Sequence, residues 1–371
     1  MGRPTMSGTA RGPACVVVIA TVLASCTGAA APEPAPPSSS APRTERASPE
    51  TPLIAGPATA VSEIALGLRR GCAVRDGALF CWGSPLTGAL EGAGGTPAVL
   101  PAPTRVRLEG LDGLSSVAIA GDTICVVRDG DVWCLGDGER ARPGDGAMDD
   151  RVAAGRMPGL DDVLDLSGDR ELCALRRSGE IWCWGGTPTH AAPTLVAGLP
   201  AAVDIAVGAT FSCALGRDAV VWCWGDNDHG QLGDGTTEPR VVPVRALDHV
   251  RSLAAGGVAC AVRDDRTAWC WGGFGLWMYQ GPPGAEGYAE LGCEGRIVEG
   301  PSGSLVTWCP RPFAVPGATD IDEIAVGGEI VVASRRDRTV LTWDTSLTSA
   351  IPPMARHAPA DAFPIYLLPA A

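Results

Sequence analysis

The chain is 371 residues long with a formal net charge of −13, and all 29 of its basic residues are arginine. The absence of lysine excludes the lysine-bearing phosphate loop and Schiff-base chemistry, and the acidic balance argues against nucleic acid as a partner. Glycine (49) and proline (32) fill more than a fifth of the positions, which predicts many turns and short strands in place of long helices.

At the N-terminus, Arg3 and Arg11 precede the apolar run Ala14 to Leu23. That run is about half the ~20 residues a membrane-crossing helix needs, so residues 1–25 read as a signal peptide. Leu23-Ala24-Ser25-Cys26 resembles a bacterial lipobox. The resemblance implies cleavage before Cys26 and a lipid on that cysteine. The chain is then expected to leave a bacterial cell and to sit at the envelope, facing the periplasm or the exterior. A plain secretory signal with an incidental Cys26 is the alternative. Residues 26–55, with PEPAPP at their centre, have too little apolar side chain to form a core and read as an extended tether. Membrane contact is expected through the lipid alone.

Ten cysteines then fall in five pairs: Cys72/Cys81, Cys125/Cys134, Cys173/Cys183, Cys213/Cys223 and Cys260/Cys270. The pairs bracket one recurring text, seen as CAVRDGALFCWG, CVVRDGDVWCLG, CALRRSGEIWCWG, CALGRDAVVWCWG and CAVRDDRTAWCWG. Asp76-Gly77 and Asp129-Gly130 are two-residue turns of the kind that joins hairpin strands. Counting outward from the first turn pairs Arg75 with Ala78, Val74 with Leu79, Ala73 with Phe80 and Cys72 with Cys81. The alternation makes the cysteines a non-hydrogen-bonded pair with Cα atoms ~4.5 Å apart, within reach of a disulfide. Beside each pair a small residue faces an aromatic one: Ala73–Phe80, Val126–Trp133, Ala174–Trp182, Ala214–Trp222 and Ala261–Trp269. Both faces of these hairpins are apolar, as in strands covered on both sides.

A sixth copy runs from Ile324-Ala325-Val326-Gly327 to Trp343, and there Val331 and Thr342 are expected to replace both cysteines together. That joint loss fits bonded partners better than zinc ligands, whose pairs usually lie two to four residues apart. Persistent bridges need an oxidising compartment. The first cysteines recur at intervals of 53, 48, 40 and 47 residues, with 71 to Val331. Paired strands at such a period mark an all-β propeller. Six blades are expected over residues 56–346, with seven as the alternative, followed by a tail over 347–371. The stretch Val61-Ser62-Glu63-Ile64 is expected to close the ring by pairing with the sixth repeat.

The fourth repeat runs Trp224-Gly225-Asp226-Asn227-Asp228-His229-Gly230-Gln231-Leu232-Gly233-Asp234-Gly235-Thr236-Thr237. It resembles the regulator-of-chromosome-condensation repeat, whose family forms mostly seven-bladed propellers. The resemblance covers about residues 52–345 and is strongest here, since the first repeat keeps only Gly88-Ala89-Leu90-Glu91-Gly92 of the GQLG segment. Family members include a nucleotide-exchange factor for a small GTPase and secreted bacterial proteins that bind other proteins through one face. An exported, disulfide-bridged chain is not expected to carry the exchange activity.

Between repeats five and six an insertion at about 273–310 holds Phe274, Leu276, Trp277, Met278, Tyr279 and Tyr288. Cys293 and Cys309 are expected to close it into a long hairpin on the face that carries the GQLG loop. Loop-borne Trp, Tyr and Met on a rigid scaffold suit a partner-binding site; the plainer reading is that they cover the disc. His190, His229, His249 and His357 stand in unlike contexts. Asp226, Asp228 and Asp234 resemble a calcium loop, but Gln231 and Thr237 occupy its glycine and glutamate positions. Asp129-Gly130-Asp131-Val132-Trp133 resembles the Asp-box of sialidase propellers, yet no tyrosine nucleophile lies in a repeat strand. No metal, no cofactor and no catalysis are expected. The reading is a monomeric module that binds a protein or a surface glycan, with an envelope spacer and a glycan-cleaving propeller as alternatives.

Overall fold

The computed structural model describes residues 61–67, 70–83, 100–106, 108, 111–136, 151–186, 192–276, 298–299, 305–327, 330–337, 339–344 and 354–357. The expected signal peptide, Cys26 and the tether lie outside them. The described residues contain strands and no helix, and the strands form six antiparallel sheets.

Each sheet is one blade of a propeller. Blade one holds β1 (Val61–Leu66), β2 (Arg70–Arg75), β3 (Ala78–Gly83) and β4 (Leu100–Val106). Blade two holds β5 (Leu114–Ala120), β6 (Thr123–Arg128), β7 (Asp131–Gly136) and β8 (Arg151–Arg156). Blade three holds β9 (Val163–Gly168), β10 (Glu171–Arg176), β11 (Ile181–Gly185) and the short β12 (Thr194–Leu195). Blade four holds β13 (Ala202–Val207), β14 (Phe211–Gly216), β15 (Val220–Gly225) and β16 (Arg240–Asp248). Blade five holds β17 (Val250–Ala255), β18 (Val258–Arg263), β19 (Ala268–Leu276), β20 (Val298–Glu299) and β21 (Leu305–Ala314). Blade six holds β22 (Ile321–Gly327), β23 (Ile330–Arg335), β24 (Thr339–Asp344) and β25 (Met354–His357).

The hairpin register follows the expected count. Arg75 pairs with Ala78, Ala73 with Phe80 and Cys72 with Cys81. Asp76 and Gly77 both take positive φ (50° and 71°), as do Asp129 and Gly130 (52° and 85°), which is what a two-residue turn matching the strand twist demands. Blades three to five spend one more residue on the turn and place Gly179, Ala219 and Arg266 in the left-handed region. All five cysteine pairs are disulfides: Cys72–Cys81, Cys125–Cys134, Cys173–Cys183, Cys213–Cys223 and Cys260–Cys270. Cys309 is also disulfide-bonded; its expected partner Cys293 lies outside the described residues.

Three expectations are corrected. The bridged Cα atoms are 4.1–4.2 Å apart, closer than the ~4.5 Å of an unbridged pair, because the bond draws the strands together. Beyond the hairpin the pairing with the fourth strand is irregular. In blade two Cys134 faces Cys125 on β6 and Gly155 on β8, and the pairing with β8 slips immediately afterwards, between Cys134 and Gly136. Gly136 sits at φ +119°, a conformation that glycine supplies, and beyond the slip it pairs with Arg151. In blade six it is Val332, not Val331, that faces Thr342, while Val331 faces Trp343. That hairpin starts with Ile330 opposite Asp344, which puts the cysteine-equivalent position one residue further on. Finally, among the described residues 61–64 do not pair with blade six; the part of the expected closing segment before Val61 lies outside the described residues. Residues of β1 pair with β2, and the fourth strand of blade six is β25, which pairs with β24.

The apolar cores lie between blades rather than within them. One cluster joins Val74 and Leu79 of blade one to Val117 and Ile119 of blade two, and similar clusters join blades two and three, three and four, four and five, and five and six. This explains why the middle strands are buried on both faces, β14 along its whole length. A backbone latch repeats at each of these joints. The hairpin-turn carbonyl of one blade accepts from the inner strand of the next, as Gly77 does from Leu114, Gly130 from Val163, Gly179 from Ala202, Ala219 from Val250 and Arg266 from Ile321 (2.9–3.0 Å). Between blades six and one, Leu66 lies 3.9 Å from where a Cβ of Gly327 would stand.

Candidate functional site

Blade five departs from its neighbours. Its third strand β19 has 9 residues against 6 in β15, and it pairs with the 10-residue β21. The pairing carries on past the disulfide as far as Leu276 opposite Leu305. Phe274 and Leu276 lie on β19 opposite Thr307 and Leu305. Trp277, Met278, Tyr279 and Tyr288 lie outside the described residues.

The base of this hairpin rests on the blade-four loop. The His229 ring meets Trp308 edge to face, with centroids 6.2 Å apart. The Gly235 N–H donates to the Pro310 carbonyl at 2.8 Å. Gly230, at φ +71°, packs so closely on Pro310 that a Cβ would stand 2.5 Å from its Cα. The excursion thus leaves the disc beside the loop that carries Gly230-Gln231-Leu232-Gly233. That segment itself is an inter-blade clamp. Leu232 is fully buried, and the buried Trp271 indole of blade five donates to the Gln231 carbonyl at 2.8 Å. Gly233 (φ +69°) lies where a Cβ would be 2.9 Å from that indole.

The same loop explains the acidic residues that resemble a calcium loop. Asn227 is fully buried; its Oδ1 accepts from the Leu232 N–H at 3.0 Å, and its Nδ2 donates to the carbonyls of Thr236 and Glu238 at 3.0 Å. Asp234 accepts from the Thr236 N–H (2.8 Å), the Thr236 hydroxyl (2.7 Å) and Arg240 Nε (3.3 Å). Burial pushes the Asp234 carboxyl up, but the hydrogen bonds from Thr236, Arg240 and Asn227 outweigh it and hold the group below the usual carboxylate range. Its oxygens are committed to shaping the loop. Among the described residues Glu171, Cys173 and Cys183 are near enough to share a metal, yet both sulfurs are in the Cys173–Cys183 bridge. Glu171 itself accepts from the Ser212 hydroxyl at 2.6 Å.

The second feature is the axial channel. The inner strands of all six blades line a cavity of about 230 Å³, below the ~300 Å³ at which most small-molecule clefts begin. Its walls are small and apolar, among them Ala65, Ala118, Ala206, Ala254 and Ala325; Glu63 is the charged side chain among the described lining residues. Every inner strand bulges at one place, where the register slips between Val61 and Glu63, Leu114 and Ser116, Val163 and Asp165, Ala202 and Asp204, Val250 and Ser252, and Ile321 and Glu323. A bulge re-aims the side chains beyond it. The six residues after the bulges, Glu63, Ser116, Asp165, Asp204, Ser252 and Glu323, are all acidic or serine.

Burial pushes the Glu323 carboxyl up to about 7, the Asp322 charge adds to this and Arg251 opposes it. Burial raises the Asp165 carboxyl as well, and it raises Glu63 well above the usual range, with the Asp165 charge adding to the effect. Sequence reasoning passes over this set. The signal is present all the same: the six residues stand immediately before Ile64-Ala65, Val117-Ala118, Leu166-Ser167, Ile205-Ala206, Leu253-Ala254 and Ile324-Ala325, one apolar-small pair in each repeat.

The fold and repeat pattern define an RCC1-like β-propeller. Residues 202–231 and 218–262 match the regulator of chromosome condensation (RCC1) repeat. The E3 ubiquitin-protein ligase HERC2 is similar over 214 residues, 32% identical in Homo sapiens and 31% in Mus musculus. The match takes in 51% of this chain but about 4% of the length of those relatives. Among solved structures, Prp20p from Saccharomyces cerevisiae superposes with a TM-score of 0.62 at 18% identity, over 79% of this chain and 76% of that one. Human WBSCR16 does so with 0.62 at 18% identity, over 82% and 84%. At that identity the likeness speaks for the fold. Prp20p is a protein whose binding to Gsp1p and histones has been described, and it has been seen bound to Kap60.

Proposed function

We propose that this chain is an exported, lipid-anchored propeller that binds a protein partner on the face bearing the blade-five excursion, and that it carries out no chemistry of its own. One observation carries the reading: β19 and β21 prolong their pairing beyond the blade to Leu276 and Leu305, at the connection where the neighbouring blade closes a compact loop on Asn227. A rigid ring that lets one connection grow offers a loop-borne binding surface on a fixed scaffold. RCC1-like relatives that bind proteins, Prp20p with Gsp1p, histones and Kap60, support a protein rather than a glycan as partner.

The five described disulfides support an oxidising compartment, and Cys26 behind the Ala14–Leu23 run supports a lipid anchor. The test is a pull-down from envelope extract with the chain from Thr27 onward, beside a form in which residues 274–288 become a short Gly/Ser linker. A partner held by the first and lost by the second is expected. If both forms retain the same partner, the binding face is elsewhere; if neither captures one, the spacer reading replaces this one. For the anchor, growth with labelled fatty acid should label the wild type and leave Cys26→Ser unlabelled.

A further inference from the structure

The polar ring at the channel holds a group of three side chains from three blades. Glu63 stands on β1, Ser116 on β5 and Asp165 on β9. Ser116 is 1% exposed, and its hydroxyl lies 3.0 Å from Glu63 Oε1 and 3.1 Å from Asp165 Oδ1. It also accepts the Leu166 N–H at 3.1 Å. A serine hydroxyl has one hydrogen to donate and two lone pairs with which to accept. If both carboxyls were ionised, one of the two contacts would set lone pair against lone pair. One proton on the pair satisfies the whole group.

The surroundings favour keeping that proton. Glu63 also accepts from the Val117 backbone and Asp165 from the Leu166 N–H at 2.8 Å. The charged groups around the same end of the channel are Asp204 on β13, Arg251 on β17, and Asp322 and Glu323 on β22. Two cations stand there, Arg251 at 3.9 Å and Arg266 at 2.8 Å from Asp322, and both charges go to blade six. Among the described residues no arginine pairs with Glu63 or Asp165. Burial without a counter-charge disfavours the ionised form, in line with the raised position of both carboxyls.

We propose that Glu63, Ser116 and Asp165 form a proton-held clasp that ties blades one, two and three at the channel: with one proton shared it is closed, and when the proton leaves to solvent the two carboxylates repel and the inner strands part. Because Glu63 also lines the cavity, opening the clasp opens the channel wall. The sign follows from linkage. The folded chain holds the proton more tightly than the unfolded chain does, so the clasp's contribution is full at acidic pH and is lost as pH rises through the raised folded value.

Two measurements test this. In full-length Glu323→Gln, which removes the other raised carboxyl, infrared spectra at pH 7 should show a protonated-carboxyl band that fades as pH is raised. No such band at pH 7 in the folded chain overturns the proposal, and this readout needs no change within the clasp. The second is hydrogen exchange in β1, β5 and β9, referenced to β14 in the same sample. For the wild type the ratio should rise with pH by up to about tenfold per unit past the transition. In Glu63→Gln, whose amide still donates but does not titrate, it should stay flat. Equal pH dependence in the two proteins sinks the clasp even if the band is found.

Discussion

Blades four and five share the register of their hairpin pair for pair and differ in the connection beyond it. Both pair a disulfide, Cys213–Cys223 and Cys260–Cys270, with a small-on-aromatic contact, Ala214 opposite Trp222 and Ala261 opposite Trp269. Past the third strand, blade four turns into a loop closed on the buried Asn227, whereas blade five runs on as an extension of β19 and β21, with the short β20 added along β21. The inner three strands are constrained on both faces by neighbouring blades and admit little change. The third-to-fourth connection borders solvent and can vary without disturbing the ring, which is why it is the natural seat of function.

The largest effect that would sharpen this contrast concerns the feature the two blades share. Replacing Cys213 and Cys223 by serine should cost about 2–3 kcal/mol, and replacing Cys260 and Cys270 should cost about the same, because loops of equal length are closed. Denaturant midpoints of the two double variants check this, and clearly unequal losses would show that the blades are not equivalent units. In blade six, where Val332 faces Thr342, Val332→Cys with Thr342→Cys should form a further bridge with a gain of similar sign and smaller size.

Next come the features that separate the blades. Asn227→Ala strands the Leu232 N–H and two carbonyls and should cost about 2 kcal/mol, with faster exchange at Trp271, whose indole leans on the same loop. At the channel end the blades differ in charge, with Ser252 in blade five and Glu323 in blade six. Glu323 is held up to about 7, above its unfolded value, so its contribution is complete below about pH 4.5 and is lost as pH rises through about 7. Thermal midpoints should therefore fall between pH 5.5 and 8.5, and Glu323→Gln should reduce that fall by about 2–4 °C once its partial exposure is allowed for.

Smaller still, Ala219→Gly should stabilise blade four by about 1 kcal/mol, since Ala219 sits at φ +62°, where only glycine is unstrained. Arg266→Gly in blade five should gain less, because it also breaks the 2.8 Å pair with Asp322. Equilibrium unfolding of the two variants side by side separates turn strain from ion pairing. Arg177→Ala, whose partner Asp162 is exposed with it, should change stability by less than about 0.5 kcal/mol.

Much of this architecture is legible in the sequence because its determinants are local. Asp76-Gly77 and Asp129-Gly130 set turn type, the turn sets register, and register sets which cysteine meets which, Cys72 with Cys81 and Cys125 with Cys134. Where no such marker stands the count slips: blade six has neither cysteines nor an Asp-Gly turn, and the repeat text places its pairing one residue early, at Val331. The outer strands are hidden for a related reason. The slip beyond Cys134 depends on where β8 returns, and β25 carries no repeat text and is recognised by its pairing with β24 alone.

The sequence by itself determined the hairpins of blades one to five and their disulfides, since each follows from contacts between residues about ten positions apart, and its repeat period pointed to a six-bladed ring. Only the tertiary structure decided which residues meet across blades. Gln231 capping Trp271, the base of the blade-five hairpin on His229 and Gly230, and the meeting of Glu63, Ser116 and Asp165 join residues some 40 to 100 positions apart. A local pattern carries no information about such distances; they arise when apolar clusters between successive blades fix the angle at which one blade packs on the next. The six polar residues at the channel show the division plainly. Each is visible in its own repeat as one letter before an apolar pair, and three of them, Glu63, Ser116 and Asp165, meet once the blades pack on one another.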